Sequence, residues 1–209
     1  MRTNPFVDTW QFLLGLTRVS LGEGFSNYVF LVLFAVLLAA AFGLALINWS
    51  ADPSQKNGAN IVTCICRVLI GCMWFHSAVS KLPLPISDAF KDTIDHMAQY
   101  AAFDVHRQLV AQFYLPHLSV IGPLVFLTEM SFAVSLILGF AVPLFAPLAA
   151  LFSLHLWLGL YLDPGEWPWT FVFAAVVHTL FVTAPAGRIL GLDALLHRHD
   201  VTGFKRAFG

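Results

Sequence analysis

Apolar residues gather into five long stretches along this chain, each able to cross a bilayer as a helix, which takes about 20 residues. They cover 28–49 (YVFLVLFAVLLAAAFGLALINW), 61–82, 119–144, 145–162 and 166–184. The third and fourth are almost continuous, and Pro143 and Pro147 predict a tight break between them. Ahead of the first, VDTWQFLLGLTRVSLG is apolar but short and carries Asp8 and Arg18. It reads as an interfacial helix anchored by Trp10, within an N-terminal segment 1–27. The first span does not read as a signal peptide, because its apolar core is long and a sizeable segment precedes it. The connection 83–117 has a different pattern. Phe90, Ile94, Met97 and Ala101 recur at helical spacing opposite Asp88, Lys91, Asp92 and Asp95. This predicts an amphipathic helix within about 86–115, lying on the membrane or over a cavity mouth. DPGEWPW (163–169) predicts a turn followed by interfacial tryptophans.

Composition agrees with the pattern. The 209 residues are 58% hydrophobic and 11% charged, with a mean hydropathy of +0.77, where soluble domains carry about 25% charged residues. A net charge of −1 offers no basic surface, which excludes nucleic acid as a partner. Cys64, Cys66 and Cys72 share one apolar run and form no disulfide framework. No ligand spacing for zinc and no flavin, iron–sulfur or nicotinamide motif is present. Arg188, Arg198, Lys205 and Arg206 crowd the end of the chain and favour a cytoplasmic C-terminus, against the pull of Arg2 and Arg18.

Charge inside the spans is the candidate chemistry. RVLIGCMWFHSAVSKL (67–82) opens with Arg67, carries His76 and closes near Lys81. Helical rise places Arg67, Glu129, His155 and His178, on four different spans, within a layer roughly 6 Å deep. Intramembrane charges cost several kcal/mol unless paired or wet. Glu129 is the only carboxylate well inside a span, so the reading pairs it with Arg67 and leaves Lys81 to reach the headgroups. Cys64, Arg67, Gly71, Ala78 and Lys81 form one inward face of that helix, with Gly71 and Ala78 allowing a close neighbour. Two readings stay open: the polar layer is a functional site, or it is glue that fixes helix register. Haem between two histidines is disfavoured because no haem face accompanies them.

These residues carry a resemblance. RVLIGCMWFHSAVSKL, EMSFAVSLILGF (129–140) and APAGRILGLDALL (184–196) resemble three successive blocks of the DoxX family of small bacterial membrane proteins, which includes the small subunit of thiosulfate:quinone oxidoreductase. The chain departs from the family at Ala78, where a second glycine is usual, at Pro185-Ala186 in the closing turn, and at Gly191 in place of serine. The resemblance implies an all-α integral membrane bundle. It would have a four-helix core over 61–196, one additional N-terminal transmembrane helix at 28–49, and a polar tail at 197–209.

The function implied is a subunit of a quinone-linked oxidoreductase system in the bacterial inner membrane, contributing a quinone or proton site. Arg67, Glu129, His155 and His178 would form that site, with His76, Lys81, Arg188 and Asp193 secondary. Arg188 and Asp193 would pair with each other or with Lys56 and Asp52. Electrons would come from a partner protein. Whether this polypeptide is itself an enzyme stays open. The alternatives are an accessory or scaffold subunit of a larger membrane complex, or a small-solute transporter, which the absence of internal repeats disfavours.

Overall fold

A computed structural model describes residues 25–167 and 169–199, together with Asn4 and Val7. The expected interfacial helix around Trp10 and the tail beyond 199 lie outside the described residues. The chain forms α1 (Phe25–Ala51), α2 (Gly58–Val79), α3 (Asp88–Tyr100), α4 (Asp104–Leu109), α5 (Leu118–Leu138), α6 (Val142–Gly159), α7 (Trp169–Thr183) and α8 (Leu192–Arg198). Short turns of 3-10 helix follow α1 and α7, and a π turn with a 3-10 turn joins α4 to α5. Among the described residues there is no strand.

Four segments are long and apolar enough to cross a membrane: Tyr28–Ala51, Gly58–Val79, Asp104–Leu138 and Val142–Gly159. The fifth, α7, has 15 residues, or roughly 22 Å at the helical rise. It is shorter than the 166–184 stretch that sequence suggested, because the DPGEWPW turn takes up the first residues.

The break between the third and fourth stretches also falls earlier than the prolines suggest. α5 ends at Leu138, and Gly139 adopts φ 67°, the left-handed conformation open to glycine. Ala141 follows at φ 49° and α6 begins at Val142. Pro143 sits in the first turn of α6, where its missing N–H is harmless, and Pro147 lies inside the helix.

Packing sets the depth of every polar group. α2 lies along α5 and α6 along α7, and these are the two most extensive helix pairs, while α1 rests on α5. The core between them contains Trp74, Phe75, Phe132, Leu136, Ile137, Val142, Ala146, Ala149 and Phe181. Gly71 governs the α2–α5 register. A Cβ there would stand 2.7 Å from Ile137 Cγ1 and 2.8 Å from the Ile137 nitrogen, so the helices touch backbone to side chain at this point. In this antiparallel pairing, Glu129 faces the Ala78–Val79 level of α2, about three turns away from Arg67.

α3 crosses the end of this bundle. Ser87 caps it, accepting from Phe90 N–H at 3.1 Å, and Phe90, Ile94 and Met97 are buried beneath it. Its far end is tied to α6 by Ala102 N–H donating to Leu158 O and by Leu162 N–H donating to Tyr100 O.

Candidate functional site

α2 and the turn that ends it present Arg67, Trp74 and Lys81 at intervals of seven residues, so three polar levels lie roughly 10.5 Å apart. Each level meets a different partner.

At the first level Arg67 is 1% exposed. Its Nη1 donates to Leu136 O at 2.6 Å and Ile137 O at 3.3 Å, and its Nη2 to Ile189 O at 3.5 Å. The guanidinium therefore closes the open C-terminal carbonyls of α5, where a cation also complements the helix dipole. Gly139 makes room for it: a Cβ there would stand 2.5 Å from Nη1.

The expected Arg67–Glu129 pair is thus corrected. The early end of α5 brings its last carbonyls, and not its carboxylate, to the level of Arg67. The closing block completes this end. Asp193, 2% exposed, accepts from Ala141 N–H at 2.7 Å and Val142 N–H at 3.2 Å, capping α6. Its own N–H donates to Gly139 O. Burial pushes the Asp193 carboxyl above its usual range, against the pull of those two N–H groups and of Arg67.

Of the partners expected for Asp193, the Arg188 charge acts on its carboxyl, while the carboxyl oxygens are taken by the two N–H groups of the α6 cap. Asp52 accepts from Ser54 N–H, and Gln55 makes the link to the closing block, donating to Arg188 O and accepting from Leu190 N–H.

At the second level Trp74 Nε1 donates to His178 Nε2 at 2.8 Å, and His178 Nδ1 meets Ala174 O at 2.5 Å. An indole only donates, so Nε2 is the bare nitrogen and Nδ1 carries the proton. Both nitrogens of His178 are satisfied; Phe181 packs edge-on against its ring, and Phe132 and Phe152 against that of Trp74. His76, 6% exposed, packs edge-on against Phe34 and Phe75.

The third level opens into a cavity of about 420 Å³ between α2, α3, α5 and α6. Lys81 Nζ lies 3.4 Å from Glu129 Oε2, and both side chains are largely or wholly buried. Lys81 turns inward, away from the headgroups it was expected to reach, because Glu129 faces its end of α2. His155 lines the same cavity, stacked on His106 with ring centroids 4.9 Å apart and flanked by Tyr114 and Phe152.

The mouth carries Thr93 and Glu166. Partial burial and the neighbouring Asp163 hold Glu166 above the usual carboxylate range. Asp163 itself is held low: burial opposes its ionisation, but Gly165 N–H and His96 outweigh it. His96 Nδ1 and Asp163 Oδ2 are 2.6 Å apart and bind α3 to the α6–α7 loop.

Of the four residues expected to form one layer, the structure brings Glu129 and His155 to one cavity and assigns Arg67 and His178 to separate levels. Sequence reading missed Ser77 and Tyr114 as cavity residues, and His106 as the ring stacked on His155. Ser77 stands one turn before Lys81, a spacing that marks it as the lysine's neighbour; His106 and Tyr114 carry no comparable signal. No group of three or more His, Cys, Asp or Glu side chains among the described residues could hold a metal ion. Searched against known protein families, curated proteins and solved structures, the chain matches none of them.

Proposed function

We propose that this chain is a multi-pass membrane protein of the DoxX type whose cavity receives a quinone head group, as a subunit of a quinone-linked redox system in the bacterial inner membrane with its C-terminus in the cytoplasm. The observation that carries the reading is the Lys81–Glu129 pair inside a cavity of about 420 Å³. Ligand sites range over about 300–1,000 Å³ and combine mostly apolar walls with a few placed polar groups. Here the walls include Phe90, Met97, Phe152 and Phe171, and the polar groups include Glu129, Lys81, Tyr114 and His155. In this role Glu129 exchanges a proton with the bound ring and Lys81 holds the carboxylate in place. His155 supports the far side of the head group, and α3 excludes water. Electrons come from a partner protein.

Purification in mild detergent followed by solvent extraction tests the proposal. Quinone is expected to co-purify with the wild type and to be lost from Glu129→Gln and from His155→Ala. A wild-type chain that retains no quinone rejects it.

A non-catalytic accessory subunit is the second reading. It is favoured by the structural employment of Arg67, Asp193 and His178, which hold helix ends and a core contact. Under that reading both variants keep the full turnover of the native complex.

A further inference from the structure

Resting on the quinone reading, we infer that the cavity selects the reduced, hydroxyl-bearing form of the ring, the quinol, over the quinone.

Glu129 is 1% exposed, and its Oε2, although 3.4 Å from Lys81 Nζ, has no hydrogen-bond partner. Lys81 and Ser77 are the side chains that reach the carboxylate, and the lysine shares its protons with other acceptors. Nζ donates to Ser77 O at 3.0 Å, to Ser77 Oγ at 3.4 Å and to Ser80 Oγ at 3.3 Å. The Ser80 hydroxyl donates in turn to Ser77 O at 2.7 Å. Lys81 therefore supplies charge to the carboxylate but little directed hydrogen bonding.

Ser77 has one hydroxyl proton to offer, against a carboxylate with about four acceptor sites. The Thr93 hydroxyl already donates to Ala89 O. Tyr114, Thr128 and His155 can each donate or accept, and Glu166 at the mouth adds a second carboxylate. The lining is therefore short of donors at its most buried point.

A buried acceptor left without a donor costs free energy that a ligand can recover. A quinone brings only carbonyl oxygens, and beside Glu129 it adds acceptor to acceptor. A quinol brings two O–H groups, one of which satisfies Oε2. Sites built on a polar hydrogen bond reject the analogue that lacks it far more strongly than apolar pockets reject a change of size.

The test measures binding of a decyl-chain benzoquinone and of its anaerobically maintained quinol to the purified full-length chain. Wild type is expected to bind the quinol at least about tenfold more tightly. Glu129→Gln removes the charged acceptor that the quinol hydroxyl satisfies, so its preference falls to within about threefold because the quinol binds more weakly. Lys81→Met/Glu129→Gln, which leaves no unpaired buried charge, is expected to behave the same way and serves if the single variant does not fold. Wild type that binds both forms equally, or prefers the quinone, overturns this inference and leaves the quinone reading standing. Wild type that binds neither form overturns the reading, and the inference with it.

Discussion

A single charged side chain can be spent on backbone, on another side chain or on a ligand, and this molecule separates those uses by position along α2. Arg67 serves backbone and Lys81 serves Glu129. Removing one partner from a buried ion pair costs about 3–5 kcal/mol, while replacing both with neutral groups of similar volume is often close to neutral. Lys81→Met alone is therefore expected to lower stability in detergent by about that amount, and Lys81→Met/Glu129→Gln to recover most of it. Glu129→Gln and an Arg67 substitution should be additive, since about three turns of α2 separate their levels; a double-mutant cycle on thermal unfolding checks both statements. Gly139→Ala forces a left-handed residue and a Cβ against Nη1. A loss of at least about 1–2 kcal/mol is expected from the backbone alone. That the charges of α2 face inward was legible from Arg67, Gly71 and Lys81 at helical spacing. Which carboxylate meets which cation was not, because it turns on where α5 stops. Gly139 held that information, but it was read as the end of a motif and not as the end of the helix.

At the scale of elements, α3 was the most legible part of the chain. Its apolar and acidic faces alternate cleanly, and Phe90, Ile94 and Met97 are buried as the period predicts. The latch that holds it could not be read, because His96 and Asp163 are 67 residues apart in sequence. Asp163 has a lowered folded pKa. Its stabilising contribution is complete above the ordinary Asp value of about 3.9 and is lost as pH falls through the lower folded value. Hydrogen exchange of the α3 amides is expected to speed up as pH drops below that range, once the intrinsic rate is corrected. Asp163→Asn should show the faster exchange at neutral pH and lose the pH dependence. A wild-type α3 insensitive to acid would contradict the latch.

For the whole molecule, the all-helical class and the presence of several apolar spans were plain from the hydrophobic pattern, whereas span length was not. α7 reaches roughly 22 Å, against a hydrocarbon core of about 30 Å. It packs along α6 and cannot tilt independently to change its reach. A helix shorter than the bilayer is accommodated by thinning the lipid around it, at a cost of a fraction of a kcal/mol per Å. Reconstitution into lipids with 14-carbon acyl chains is therefore expected to give a higher unfolding temperature than 18-carbon lipids, by a few degrees. Equal values in both would show that neighbouring segments, and not the lipid, make up the missing length.

The guanidinium that closes α5 has a consequence for how the protein is made. Leu136 O lies 69 residues downstream of Arg67 and Ile189 O lies 122 residues downstream. At a translation rate of about 5–20 residues per second, α2 waits roughly 3–14 s before the first of these carbonyl acceptors has been synthesised. During that interval the arginine is expected to extend to the headgroups, holding α2 off its final depth, and among the described spans α1 alone has been made. Assembly of this bundle is therefore a late descent of α2, triggered when the turn at Gly139 emerges and offers its carbonyls. A nascent chain arrested before that turn should leave residue 67 within reach of a water-soluble reagent, and one arrested after Arg198 should not.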